Sequence, residues 1–300
     1  KTYDGDTTAS TTLTFTGLVG SETLGQTVGS TFNNKNVGSN KTVTVNSITL
    51  ADGSGLAANY SISAGQTTTA HISPKSLTVS GITASNKTYD GSTNVTLDPS
   101  LVAYSGLVGG DTFDGTYTGV FSDKNVGTGK TVTITSSYSG ADVSNYSVTD
   151  QSSTTANITA KSLTVSGITA SDKTYDGSTS ATLTGTAVYS GLVSGDIFTG
   201  SYTGAFSDKN VGTGKTVNIT PSYSGADVNN YSVTDQSSTT ADISAKALTA
   251  TASASNKTYD GGTTASTTLT FTGLVGSETL GQTVGSTFDN KNVGSNKTVT

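Results

Sequence analysis

One phrase, Lys-Thr-Tyr-Asp-Gly, begins at Lys1, Lys87, Lys173 and Lys257, and this recurrence constrains the chain more than any other feature. The intervals are 86, 86 and 84 residues. A fixed period of this size marks an array of similar units, not one large domain. Other phrases keep the same beat. Lys-Asn-Val-Gly recurs at Lys35, Lys124, Lys209 and Lys291, and Lys-Thr-Val at Lys41, Lys130, Lys215 and Lys297. Lys-Ser/Ala-Leu-Thr recurs at Lys75, Lys161 and Lys246. These four sets contain all 15 lysines, and the chain has no Arg.

A longer period lies over the first. Residues 257–300 match residues 1–44 at 42 of 44 positions, the exceptions being Asp6 against Gly262 and Asn33 against Asp289. The order is therefore A, B, B′, A. Repeat A covers 1–74 without an opening strand, B covers 75–160, B′ covers 161–245, and 246–300 is A again in truncated form. The chain reads as a window on something longer that continues at both ends.

Each unit reads as strands. Thr131-Val132-Thr133-Ile134-Thr135 alternates polar and apolar, as do Thr42–Val45, Thr216–Ile219, Thr11–Thr16 and Ala181–Thr184. Period 2 with β-branched residues suits a half-buried sheet. Asp4-Gly5, Asp52-Gly53 and Gly109-Gly110-Asp111 read as turns. Gly17–Glu22 and Gly106–Val108 are the places for a single helical turn. Leu, Ile, Val and Phe number 59 of 300, which by itself borders on a disordered composition. The placement of these residues decides for a fold. The expected class is all-β, a tandem array of modules of about 85 residues forming an elongated rod, each module a sandwich or a β-grasp-like sheet. The run 155–165 has no Gly and predicts a stiff joint.

Composition narrows the chemistry. There is no Cys, so there are no disulfides and no thiolate sites, and the single His, His71, leaves no multi-histidine metal centre. A net charge of -6 disfavours nucleic acid. No apolar run is long enough to span a membrane as a helix. Gly127-Thr128-Gly129-Lys130-Thr131 looks like the tail of a phosphate loop, but Lys124 stands where the first Gly belongs, and a strand follows. His71 aligns with Asn157 and Asp242, which points to a solvent-facing position. Asp4, Asp90, Asp176 and Asp260 read as turn residues that bond nearby N–H groups beside a Gly of positive φ. The preceding tyrosine would close the module end.

Sharper readings are few. Asp111, Asp114, Asp123, Asp142 and Asn145 offer oxygen ligands for calcium, although their spacing matches no known loop. Lys87, Asn145 and Asp90 make one candidate set for an intramolecular isopeptide bond. Tyr117, Tyr138, Tyr146 and Tyr202 offer rings for sugars to stack on. No nucleophile–base–orienter set is evident, so the expectation is no enzyme and no cofactor.

The motifs themselves resemble a known family. Lys-Thr-Tyr-Asp-Gly, Gly-Leu-Val-Gly-Gly-Asp (106–111), Phe-Ser-Asp-Lys-Asn-Val-Gly (121–127), Ser-Gly-Ala-Asp-Val-Ser-Asn-Tyr (139–146) and Ala-Asn-Ile-Thr-Ala-Lys-Ser-Leu-Thr (156–164) are similar to the YDG repeat of large bacterial surface and secreted proteins. That family, with its MBG-type relatives, occurs in tandem in adhesins, often of the filamentous-haemagglutinin kind. The resemblance implies a non-enzymatic array, extracellular or on the bacterial cell surface: a stalk, fibre or adhesive shaft. The implied partners are neighbouring repeats, other copies of the same chain, or surface glycans bound multivalently. Repeat A departs from the pattern, with Asn33-Asn34-Lys35 for Ser-Asp-Lys and Leu56-Ala57 where B carries Asp142-Val143.

Overall fold

The computed structural model describes residues 1–300, and the chain is all-β apart from three short 3-10 turns. No helix is long and apolar enough to cross a membrane. The chain divides into two compact units, Lys1–Ala160 and Lys161–Thr300.

Module B, in the first unit, is a sandwich of two sheets. One orders the strands Asp114–Phe121, Gly127–Ser139, Ser153–Thr159 and Lys87–Thr88. The other orders Tyr146–Thr149, Lys75–Ser80 and Ala103–Ser105. The alternation seen in the sequence sets the inward faces. Val132 and Ile134 are buried on the long strand, Ala156 and Ile158 on the closing strand, and Leu77 and Val79 on the opening strand. Phe113 packs among Tyr104, Tyr138 and Tyr146, with ring centroids 5.0–5.8 Å apart. Each fully buried aliphatic side chain contributes about 1.5–3 kcal/mol, so a core this thin leaves a module of this size only marginally stable.

The opening strand is paired in parallel with the strand after Asn145: Lys75 lies opposite Tyr146 and Leu77 opposite Val148. Module B′ repeats this in the second unit, with Lys161 opposite Tyr231 and Leu163 opposite Val233. Antiparallel neighbours can be joined by tight turns, but a parallel pair requires a long crossover. Here nearly the whole module is that crossover, so its first and last portions are bound into one sheet.

Two local expectations are revised. The Gly-Leu-Val segments are tight turns closed by Glu22 N–H to Val19 O (3.1 Å) and Asp111 N–H to Val108 O (3.2 Å). The glycines at φ +58 (Gly20) and +90 (Gly110) stop any helix there. The 3-10 turns lie instead at Ala57–Asn59, Val143–Asn145 and Val228–Asn230. Second, Thr11–Thr16 is not a strand, whereas its identical counterpart Thr267–Thr272 is one and pairs with Thr249–Ala254. A strand needs a ladder partner, and Thr11–Thr16 has none.

Candidate functional site

The repeated side chains converge at the joint between modules A and B, inside the first unit. Module A supplies a tail. Lys1-Thr2-Tyr3 lies beside its closing strand, with Tyr3 N–H bonded to Ser73 O at 2.9 Å. The Asp4-Gly5 turn then reverses the chain. Asp4 accepts the Asp6 N–H at 3.1 Å and pairs with Lys1 at 2.7 Å, while Gly5 takes φ +86. The same turn recurs with Lys87–Asp90, Lys173–Asp176 and Lys257–Asp260 at 2.8–2.9 Å. In each repeat this first lysine also sits over a phenylalanine ring, at 5.4–5.9 Å.

Module B supplies a head built on Asp111, whose side chain is only 2 % exposed. Its carboxylate accepts Tyr3 OH at 2.8 Å, Tyr146 OH at 2.6 Å and the Lys35 ammonium at 2.8 Å. Lys35 Nζ also lies 2.9 Å from Asp142 Oδ1, and the other Asp142 oxygen takes the Thr112 N–H at 3.0 Å. Tyr146 OH in turn accepts the Val108 N–H at 2.9 Å. Asn145, buried, accepts the Val37 N–H at 2.9 Å. The Tyr3 and Tyr146 rings meet edge to face at 5.6 Å. The two modules also pack closely at Gly5, because a Cβ there would lie 2.7 Å from Val108 Cγ1.

The electrostatics follow from this packing. Burial pushes the Asp111 carboxyl up, but Lys35, Tyr146 and Tyr3 outweigh it and hold the group below the usual carboxylate range. The Thr112 N–H, and then Lys35, lower Asp142. Hydrogen bonds to Asp111 and Asp142 raise Lys35. Burial, and then Asp111, push Tyr146 up to about 12. Each group is thus held in the protonation state that the joint uses.

The second unit contains the joint in its other form, between B′ and the following A. Tyr175 OH donates to Glu278, Lys209 Nζ lies 3.6 Å from the same carboxylate, and a Cβ on Gly177 would meet Val275 Cγ1 at 2.8 Å. An A-type head therefore offers one glutamate where a B-type head offers two aspartates. The head of B′ is also formed: Tyr231 OH donates to Asp196 at 2.6 Å, and Val193 N–H to Tyr231 OH at 2.9 Å.

Among the calcium candidates, the structure brings Asp111, Asp142 and Asn145 together. The cation between the two carboxylates is Lys35, and the Asn145 oxygen is taken by Val37. That leaves too few oxygens for an ion that takes six to eight. Asp123 lies apart in a loop with Lys130 at 2.7 Å, and Asp114 opens a strand. The isopeptide set does not assemble, for Lys87 is bound by Asp90 and Ser92 while Asn145 serves the joint. Tyr3 and Tyr175, before their Asp-Gly turns, do close their module ends, but their hydroxyls are on carboxylates of the next module, not in water. Of the proposed stacking rings, Tyr146 belongs to the joint. Tyr117 and Tyr138 pack on each other at 6.4 Å, and Tyr202 packs on Tyr223 at 6.2 Å.

His71, Asn157 and Asp242 share a task that the sequence concealed. Each accepts one turn N–H: that of Asn40 at 3.2 Å, of Gly129 at 2.7 Å and of Gly214 at 2.7 Å. Any side chain with an acceptor in reach suffices, which is why three residue types occur there. Sequence reasoning missed Tyr3, Lys35, Val37 and Val108 as one site. The available signal was the invariable pairing, within each repeat, of Tyr-Asp-Gly with Lys-Asn-Val-Gly.

The YDG domain family matches the chain four times in tandem, over residues 1–70, 73–156, 159–241 and 244–300. No curated protein and no solved structure matches it.

Proposed function

The chain belongs to the YDG domain family, and we propose that its repeats form the structural and adhesive shaft of an extracellular bacterial fibre or adhesin stalk, without catalytic activity. One observation carries this reading. The side chains that recur from repeat to repeat are used to fasten one module to the next: Tyr3 and Lys35 on Asp111, and Tyr175 and Lys209 on Glu278. A repeated binding or reaction centre would instead leave such groups facing a cavity. A shaft needs length at a fixed spacing, and a joint that holds Tyr and Lys on a carboxylate of the next module supplies it. Electron micrographs of the intact protein on its cell surface test the reading. Slender rods of constant width support it; bead strings bent freely at every joint, or a location inside the cell, would overturn it.

A further inference from the structure

Modules B and B′ each carry three phenols between their two sheets. Tyr104 stands on the strand Ala103–Ser105 of one sheet, and Tyr117 and Tyr138 on Asp114–Phe121 and Gly127–Ser139 of the other. Across the gap, Tyr104 OH and Tyr117 OH lie 2.9 Å apart. Module B′ repeats the arrangement, with Tyr202 OH donating to Tyr189 OH at 3.1 Å. Tyr189, on Leu183–Ser190, and Tyr202, on Thr199–Phe206, again belong to different sheets. Gly115 and Gly200 make the room: a Cβ on either would lie 2.2–2.7 Å from both hydroxyls of its pair.

Module A fills the same positions without hydroxyls. Counted from the shared Gly-Leu-Val turn, Phe15 takes the place of Tyr104. Counted from Phe32, which matches Phe121, Val28 takes that of Tyr117. Leu50, opposite Gln26, takes that of Tyr138, opposite Gly115. Apolar side chains suffice for this layer, so the phenols of B and B′ bring chemistry as well as volume. The third phenol of each set has a base. Tyr138 OH donates to Asp150 and Tyr223 OH to Asp235, both at the surface, whereas the Tyr104–Tyr117 pair is half-buried. The Tyr138 and Tyr117 rings are 6.4 Å apart, and those of Tyr223 and Tyr202 are 6.2 Å apart. An oxidant at the surface therefore meets a phenol whose proton has an acceptor within hydrogen-bond reach, with a second phenol close behind it.

We propose that Tyr104 with Tyr117, and Tyr189 with Tyr202, are sites of oxidative coupling, each forming a carbon–carbon bond that staples the two sheets of its module. In module B, Tyr138 is oxidised first, giving an electron to the oxidant and its proton to Asp150. Tyr117 then returns the electron, Asp150 returns the proton, and Tyr117 loses its own phenolic proton to water. Tyr104 is oxidised in a second round. The two phenoxyl radicals join at the ring carbons beside their hydroxyls, and the hydrogens on those carbons move to the two oxygens. Each bridge thus releases two electrons and two protons. Hydrogen peroxide, acting through a peroxidase, takes both and becomes two molecules of water. The chain has no cysteine, so this link between sheets is one that requires no thiol. A module with a thin core gains much from such a link. The inference holds whether or not the repeats serve as a stalk.

The test treats the full chain with a haem peroxidase and hydrogen peroxide, then cleaves it at aspartate. Asp111 and Asp114 lie between Tyr104 and Tyr117, and Asp196 between Tyr189 and Tyr202, so each pair is split onto separate peptides unless joined. The expected product is a single chain with dityrosine fluorescence, lighter by two hydrogens per bridge, that yields both joined peptide pairs. A chain carrying Tyr104→Phe and Tyr189→Phe keeps rings like that of Phe15 and should yield neither. A chain carrying Asp150→Asn and Asp235→Asn should form the bridges more slowly by about tenfold or more. Circular dichroism checks that both variants are folded. Treatment in urea should scatter the links among the 13 tyrosines. Treated folded chains whose two pairs stay unjoined, links formed only between copies, or the same products with and without urea overturn the proposal. An undiminished rate in the aspartate variant overturns the route through Tyr138.

Discussion

Asp111 receives two phenols and one ammonium in a space nearly closed to water, so its loss leaves more than one group without a partner. Asp111→Asn keeps the shape but removes the charge opposite Lys35 and turns a donating amide toward groups that themselves donate. Breaking a buried, charge-assisted set of this kind costs about 2–4 kcal/mol. The expected outcome in a urea melt of the full chain is a destabilised transition of that size. Asp114→Asn, at an exposed strand start, should shift it by less than about 0.5 kcal/mol. Equal effects of the two substitutions would remove Asp111 from the centre of the joint. At this scale the lysines were legible as a ruler but not as four separate devices. The first set caps the Asp-Gly turn over a phenylalanine ring. The second reaches from the tail, where Lys35 and Lys209 meet the next head. The third braces a loop, as Lys130 does against Asp123 and Lys215 against Asp208, each at 2.7 Å. The fourth, at Lys75 and Lys161, opens a strand opposite a tyrosine. Spacing reveals that a residue is placed with care. It does not reveal a partner 76 positions away, as Asp111 is from Lys35.

The Tyr-Asp-Gly turn shows how one element serves two purposes that can be separated by experiment. Every copy needs a glycine for its backbone, at φ +86 in Gly5 and +83 in Gly261. Where the next module packs on the turn, as at Gly5 and Gly177, the glycine is needed for space as well. A Cβ on Gly5 would collide with Val108, whereas one on Gly261 meets nothing within 4 Å. Gly261→Ala should therefore cost only the conformational strain, about 1 kcal/mol. Gly5→Ala should cost that plus an overpacking penalty of about 1–3 kcal/mol at the joint. Comparing the two chains by thermal melting checks this, and an equal loss would mean that the joint yields freely at Val108. The elements were legible where alternation sufficed: Thr131–Thr135 and its counterparts lie in long strands with alternate side chains buried, and the Asp-Gly turns formed as read. The parallel pairing of Lys75–Ser80 with Tyr146–Thr149 was not legible, because periodicity orients a strand's faces without choosing its neighbour. Thr11–Thr16 makes the same point from the other side, since an identical sequence is a strand only in the copy that has a partner.

At the scale of the whole molecule, the joint between modules A and B responds to pH in both directions, and the directions follow from the groups it contains. Asp111 and Asp142 are held below the ordinary carboxylate value of 3.8. They therefore bind a proton less readily when the joint is formed. Their contribution is fully present above 3.8 and is lost as pH falls below it. Tyr146 is raised from 10.0 to about 12, and Tyr3 is raised as well. These phenols hold their protons more tightly in the joint, where they must donate to Asp111. Their contribution is fully present below pH 10 and disappears as pH rises through about 12. Inside the modules the same signs apply. Asp90, with burial pushing it up but Lys87 and Ser92 outweighing that, is lowered, while Tyr138, mainly by burial, is raised to about 12. Module and joint should weaken together, so the array should melt at a nearly constant temperature through neutral pH and lose stability on both flanks. Tyr146→Phe separates the two sources. It removes the only joint phenol that belongs to the head of module B, so the chain carrying it should start less stable yet fall less steeply between pH 10 and 12. Thermal melts of both chains across that range decide the matter: parallel curves would show that the alkaline loss comes from the module cores, not from the joints.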